Sequence, residues 1–292
     1  VNGIPVNDAE SHGVWWVNMP DFATSVQNVQ IQRGVGTSTN GAGAFGASIN
    51  FQTFTLRKEP YAEINSVAGS FNSFKNTLSV GSGLINNKFS FDLRLSKINS
   101  DGFVDRASAD LKSFFASAGY FSEKSVLKLN VFSGAEQTYQ AWYGVPKVKL
   151  EGDREGILEY ISLSGYSAKD SANLMDSDPR TYNFYTYDNE TDNYQQDHYQ
   201  LHYSYELSKN MNLNTSLHYT YGRGYYEQYK NDRSFALYGI EPVIHGQDTI
   251  NTTDISELVA RGLVQREGQR YEDFLPISAA GIFASNLNQY GT

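Results

Sequence analysis

From residue 61 onward the chain alternates apolar and polar side chains with a period of two. Over 88–98, Phe89, Phe91, Leu93 and Leu95 fall on one face, and Ser90, Asp92, Arg94 and Ser96 on the other. Successive side chains of a strand point to opposite faces, so this pattern predicts a β-strand with two unlike faces. The same alternation runs over 74–84, 126–132, 199–207 and 212–221; with 61–69 and 111–121 it gives seven strands. Most approach the roughly 9–11 residues that cross a bilayer at a tilt. The predicted fold class is mainly β, an antiparallel meander.

Alternation alone does not separate a membrane barrel from a soluble sandwich, since both bury one face. The links separate them better. Short turns at 85–87, 122–125 and 208–211 alternate with longer links at 99–110, at about 138–194 and at about 230–270. Outer-membrane barrels have tight turns on one side and long external loops on the other. Pro146, Pro179 and Pro242 lie in the long links, where the missing N–H costs no ladder bond. No apolar run approaches the roughly 18 residues of a spanning helix, and a barrel needs none. Within the long loop, 156–164 and 168–175 read as short helices, and the loop as a whole is expected to vary most in conformation. Near the end, 274–287 is a candidate eighth strand spoiled by Pro276 and the Ala279, Ala280, Gly281 run.

Before residue 58 the pattern differs. Residues 1–6 read as a strand, and 20–26 as a short helix with Asn18 as cap and Pro20 just inside. Two alternating strands then flank a segment with Gly34, Gly36, Gly41, Gly43 and Gly46. Such a segment suits a compact hairpin. It is no phosphate loop, because neither Gly-Lys-Ser/Thr nor a helix-opening GxGxxG occurs there.

This opening resembles a known family. Arg33 and Gly34 after an alternating strand, a Gly/Ser/Thr/Asn run, then Gly46, Ala47, Ser48, Ile49 and Asn50 look like the end of the plug domain of TonB-dependent outer-membrane receptors. Val1 to Val6 resembles the "DG-x-P" strand of the same plug, with Asn2 where Asp is more usual. The resemblance is strong over the first 53 residues and looser beyond. It implies the C-terminal part of a plug at 1–57 and, at 58–292, the first strands of a transmembrane β-barrel with long extracellular loops. The chain opens on what reads as mid-strand and shows no signal peptide, so it is expected to be a piece of a longer protein.

The resemblance further implies active import of a nutrient across the bacterial outer membrane: an iron chelate, cobalamin or an oligosaccharide. The implied partners are outer-membrane lipid and TonB with its inner-membrane energising complex, which pulls on a box absent from these residues. The plug end differs from that of starch-utilisation-type receptors, which argues against a lipoprotein lid. Plug loops of the family meet substrate from below, making His12, Trp15 and Trp16 binding candidates; packing against the inner wall is the alternative for the two Trp. Plug arginines of the family pair with acids of the barrel interior. Arg33 and Gly34 are therefore expected to be structural and gating, with Asp92 and Arg94 supplying complementary charge on the lumen face.

Composition narrows the rivals. A net charge of −9 without a basic stripe argues against nucleic acid. Cys is absent, so disulfides and thiolate metal sites are excluded. No GxSxG, HExxH or other catalytic constellation appears, and no cofactor or enzymatic activity is expected. Tyr139, Trp142 and Tyr143 open the long loop and either stack on a ligand or belong to the aromatic girdle. The pairs Glu151/Asp153 and Asp176/Asp178 read as solvated charge, with bound Ca²⁺ as the alternative. A turn centred on Asn210 would set His202 opposite His218, a weak candidate metal pair. The rival function is a secreted or surface β-rich module binding carbohydrate.

Overall fold

The computed structural model describes residues 1–8, 11, 13–35, 46–53 and 56–230, together with the backbone of four short strands beyond them. Strands β1 (Val26–Arg33) and β2 (Ala47–Thr53) form an antiparallel hairpin. Seven strands then run as a continuous meander: β3 (Tyr61–Gly69), β4 (Ser73–Gly81), β5 (Phe89–Ser100), β6 (Ala109–Phe121), β7 (Ser125–Tyr139), β8 (Thr191–Ser208) and β9 (Met211–Tyr226). Each pairs antiparallel with its sequence neighbour. Beyond them, β10 (Ile244–His245) and β11 (Asp248–Thr249) form a two-stranded hairpin. Strands β12 (Gln269–Phe274) and β13 (Ser278–Ala280) both pair with β9.

The two faces of the meander invert the usual order of a soluble protein. One face carries Phe89, Phe91, Leu93, Leu95, Leu127, Leu129, Tyr199, Leu201, Leu217 and Tyr219, all exposed. The other carries Thr77, Ser90, Arg94, Ser96, Ser117, Asn130, Gln200 and Thr220, all buried. The apolar face is therefore the outside and the polar face the lumen. On β5 the apolar band runs from Phe89 to Leu95, and on β8 from Tyr199 to Leu207. That is roughly 20–27 Å of strand at about 3.4 Å per residue, comparable with the ~25 Å band of outer-membrane barrels.

The links fall into two sets. Residues 82–88, 122–124 and 209–210 form one side; 70–72, 101–108 and 140–190 form the other. Strands β7, β8 and β9 extend further than their apolar stretch predicts, because their upper halves continue the ladder with polar residues on both faces. The 140–190 loop contains α1 (Lys147–Leu150), α2 (Arg154–Ser164) and α3 (Ala168–Asp176). The last two match the helices expected there. Their ends are explicit: Asp153 and Ser167 accept from the N–H groups of Gly156 and Asp170, and Gly165 closes α2 in the left-handed region.

Three local expectations are corrected. Residues 1–6 form a turn, not a strand: Asn2 and Gly3 both have positive φ, of 52° and 80°, the Asn-Gly preference for tight turns. The helix expected over 20–26 is a single 3₁₀ turn, Phe22–Ser25, with another at Trp16–Asn18 before it; Pro20 and Asp21, the latter at φ 54°, keep the two from joining. The β8–β9 register is offset by a bulge between Glu206 and Ser208, so His218 faces Gln200 and His202 faces Ser216. The candidate eighth strand begins earlier than expected, as β12, and its residues 275–277 and 281–287 lie outside the described residues.

Candidate functional site

The described residues among the first 25 pack on the lumen face through Val1, Asn2, Met19, Asp21 and Phe22, and their strongest anchor is Asp21. Its carboxylate, 7% exposed, accepts from Lys75 Nζ on β4 at 2.5 Å and from Arg94 on β5 at 3.1 Å. The Ser96 hydroxyl and Thr24 Oγ1 also donate to it. Burial pushes this carboxyl up, but the hydrogen bonds from Lys75, Ser96 and Thr24 and the Lys75 charge outweigh it and hold it below its ordinary value. Arg94 is itself 1% exposed. The only comfortable state for that buried guanidinium is a paired one.

Apolar contacts flank the ion cluster. Phe22 meets Phe132 on β7 at 5.2 Å, and Phe132 stacks on Phe115 and on His198, the latter at 4.4 Å. Val1 and Met19 complete this small core. Pro20 sits on Gly134, where an added Cβ would lie 2.3 Å from the proline ring; only glycine admits that approach. Asn2 donates to Gln200 on β8 at 3.1 Å and to Thr53 at 2.9 Å.

The contact has the reverse polarity of the one the resemblance implied. Arg33 ends β1 exposed and has no ion pair among the described residues; Gly34 follows at φ 85°. The acid is on the inserted segment and the bases are on the wall. Of the predicted wall charges, Arg94 joins the cluster, while Asp92 accepts from the Tyr61 hydroxyl at 3.0 Å. Trp15 and Trp16 are exposed, and Trp16 sets its edge on Phe51 at 5.4 Å. His12 lies outside the described residues.

The second region is the long loop. Where a variable connector was expected, the structure shows a unit with its own core of Ile157, Leu174 and Tyr182. Lys149, 4% exposed, donates to the carbonyls of Leu174 and Ser177 at 2.5 and 2.7 Å and so closes the end of α3. Burial lowers its pKa, opposed by Asp178 and Asp176. Asn183, 1% exposed, donates to the carbonyls of Asp105 and Gln140. Glu190 accepts from the backbone N–H groups of Thr186, Tyr187 and Tyr229. These buried polar groups bolt the loop to the strand ends. The carboxylates weighed for Ca²⁺ have local duties: Asp153 caps α2, and Glu151 pairs with Lys147.

On this frame stand Trp142 and Tyr143, 55% and 62% exposed. Trp142 meets Tyr185 at 6.1 Å and Tyr226 at 5.9 Å; Tyr143 stacks on Tyr185 at 5.6 Å and meets Phe184 at 5.2 Å. Burial, then Tyr143 and Glu190, push the Tyr185 phenol up to about 12. Tyr139 separates from its predicted partners: it is buried, and its hydroxyl donates to the Tyr187 carbonyl at 2.7 Å. Tyr185 and Tyr226 carried no sequence signal, since nothing local distinguishes them among 21 tyrosines. Among the described residues no three His, Cys, Asp or Glu side chains cluster for a metal. His202 contacts Ser216 at 2.8 Å instead of His218.

Solved structures share this fold. The chain superposes on the ferric-catecholate import receptor Fiu from E. coli K12 with a TM-score of 0.55 at 19% identity, over 69% of this chain and 29% of that one. For the siderophore receptor PiuA from Acinetobacter baumannii the values are 0.53, 14%, 69% and 27%. For the alcaligin outer-membrane receptor FauA from Bordetella pertussis they are 0.52, 13%, 73% and 29%. The chain has the fold of TonB-dependent outer-membrane receptors. It spans under a third of the length of each of these three structures.

Sequence comparison adds little to this receptor fold. No curated protein matches the chain. A family model described as HGLS, 2-oxoadipate dioxygenase/decarboxylase, matches residues 186–286. That stretch begins with β8 and β9, which are neighbouring staves of the receptor wall.

Proposed function

We propose that this chain belongs to a receptor that imports an iron chelate across the bacterial outer membrane, driven through TonB. The observation that carries the reading is the polar lumen face filled by an inserted segment held through Asp21, Lys75 and Arg94. A polar ion cluster in place of a continuous apolar core holds that segment without fusing it to the wall, as a transport plug requires. The chelate follows from what three similar structures are said to be: receptors for ferric catecholates, alcaligin and siderophores. Trp142 and Tyr143, backed by the buried Tyr185, offer flat faces for a planar aryl or hydroxamate ligand. Outer-membrane lipid covers the apolar band, and the chain's role is transport, not catalysis.

The test is uptake of radiolabelled ferric catecholate and ferric hydroxamate by cells that express the full-length protein and lack their own receptors. The expected result is iron accumulation that stops when the proton gradient is collapsed. Cells that accumulate cobalamin or an oligosaccharide but no iron chelate would overturn the substrate class.

A further inference from the structure

We propose that the loop-side half of the lumen binds the cationic arm of a ligand, an ammonium or guanidinium group held by Asp192 and Glu136 against the rings of Tyr226 and Trp142. The proposal rests on the import of an iron chelate and narrows it to a chelate that carries positive charge. Two observations carry it. The first is an acid pair without a counter-charge. Glu136 shares the lumen face of β7 with Asn130 and Phe132, and Asp192 shares that of β8 with His198 and Gln200. Tyr194 stands directly opposite Glu136, and Thr138 opposite Asp192. The two acids are therefore diagonal neighbours, about 7–8 Å apart, and both stand above the apolar band. Glu136 is 5% exposed, and neither of its carboxylate oxygens has a hydrogen-bond partner among the described residues. Burial, then the Asp192 charge, push its pKa up to about 8. Asp192 is half-buried and accepts from the Asn193 N–H. Neither acid joins an ion pair among the described residues, and Lys75 and Arg94 are committed to Asp21. A buried carboxylate without a partner is costly; one cation between the two acids satisfies both.

The second observation is the aromatic pair beside those acids. Tyr226 is directly opposed to Asp192 across the β8–β9 ladder. Its exposed ring meets the exposed ring of Trp142 at 5.9 Å. One row down, Tyr194 lies over Gly224, where an added Cβ would stand 2.7 Å from the tyrosine ring. That ring leans toward β9, and its hydroxyl accepts from Gln196 at 3.3 Å. The side chain opposite Glu136 is thus turned away from it, which is why the acid stays unsatisfied. Rings beside a carboxylate suit an organic cation, since their faces attract ammonium and guanidinium groups. Two carboxylates without a third ligand make a poor metal site, and among the described residues no third His, Cys, Asp or Glu joins them.

The experiment uses the full-length protein purified in detergent and two forms of one linear ferric trihydroxamate, the first ending in a free ammonium, the second with that amine acetylated. Affinity is read from the quenching of tryptophan fluorescence. Wild type should bind the ammonium form more tightly by about tenfold or more, the fold-change of one hydrogen bond to a charged group. Asp192→Asn should erase the preference, and Glu136→Gln should reduce it. Equal affinity of wild type for the two forms overturns the proposal even where a variant fails to fold. An unchanged preference in a folded Asp192→Asn protein does the same. A wild type that binds neither form but does bind a ferric catecholate overturns it too and leaves the import of an iron chelate standing. Binding of no iron chelate at all removes that reading and the proposal together.

Discussion

Lys75 and Asp21 meet at 2.5 Å although 54 residues separate them in sequence. The pair joins the inserted segment to the second strand of the wall, and the same carboxylate reaches Arg94 on the third. One acid thus satisfies two bases on neighbouring strands. Removing it leaves the Arg94 guanidinium buried and uncompensated, which costs about 3–5 kcal/mol. Asp21→Asn should therefore loosen the inserted segment without unfolding the wall. Limited proteolysis near residues 1–53 should quicken while the resistance of the barrel to heat in detergent stays the same. Unchanged proteolysis would show that the aromatic contacts of Phe22 alone hold the segment.

The same pair sets a pH dependence. The Asp21 pKa is depressed in the folded chain relative to its ordinary value of 3.8. A group depressed on folding stabilises above its unfolded pKa, and the contribution fades as pH falls through the folded value. Docking should hold constant from neutral pH down to about 4 and weaken below it. Hydrogen exchange of residues 19–25 against pH would read this directly, and Asp21→Asn should abolish the low-pH limb.

Much of the architecture was legible in the sequence. A period of two, short and long links in alternation, and Pro146, Pro179 and Pro242 in the long links give the meander and its sidedness. Asp153, Ser167 and Gly165 mark the ends of α2 and α3 by local chemistry. What stayed hidden was non-local. Nothing near Asp21 announces partners on two later strands, so the resemblance put the ion pair on Arg33, and with the opposite polarity. The start of β8, from Thr191, was read as loop, because above the apolar band neither face needs to be apolar. Tyr139 was grouped with Trp142 and Tyr143 by proximity in sequence, yet the chain turns between them.

That division makes a prediction about the loop aromatics. Trp142→Ala and Tyr143→Ala remove exposed rings and should weaken ferric-chelate binding, at about 1 kcal/mol or more for each stacked ring, while leaving thermal stability within ~0.5 kcal/mol of wild type. Tyr139→Phe removes one buried hydrogen bond and should cost about 0.5–1.5 kcal/mol of loop stability, with binding unchanged. Fluorescence titration paired with thermal unfolding separates the two classes. Tyr139→Phe acting on affinity alone would reverse the assignment.

The loop frame is testable at Glu190. Its carboxylate takes three backbone N–H groups, from Thr186, Tyr187 and Tyr229, and so ties the loop to the residues that follow β9. Glu190→Ala strands three donors. The cost is expected to be on the order of 1–3 kcal/mol for each group left buried and unpaired. Glu190→Gln keeps one acceptor oxygen and should recover part of it. Hydrogen exchange should speed at 186–187 and 229 together in the alanine variant. Exchange that speeds at only one of the two places would show that the segments move independently.

The last prediction concerns register. The rule that opposed residues share a face allows several pairings of β8 with β9, and a symmetric turn at Asn210 would bring His202 opposite His218. The bulge between Glu206 and Ser208 absorbs an extra residue and shifts the ladder, placing Gln200 opposite His218. Opposed Cβ atoms are about 4.5–5.5 Å apart, and diagonal neighbours about 7–8 Å. A disulfide needs Cβ atoms near 3.5–4.5 Å, which only the directly opposed pair can reach by small adjustment. The chain contains no cysteine, so engineered pairs give an unambiguous readout. Gln200→Cys with His218→Cys should cross-link on mild oxidation, and His202→Cys with His218→Cys should not. The same geometry removes the case for a shared metal: Zn²⁺ titration of wild type and of His202→Ala should give superimposable curves. Cross-linking in the second pair, with none in the first, would restore the symmetric turn and with it the two-histidine site.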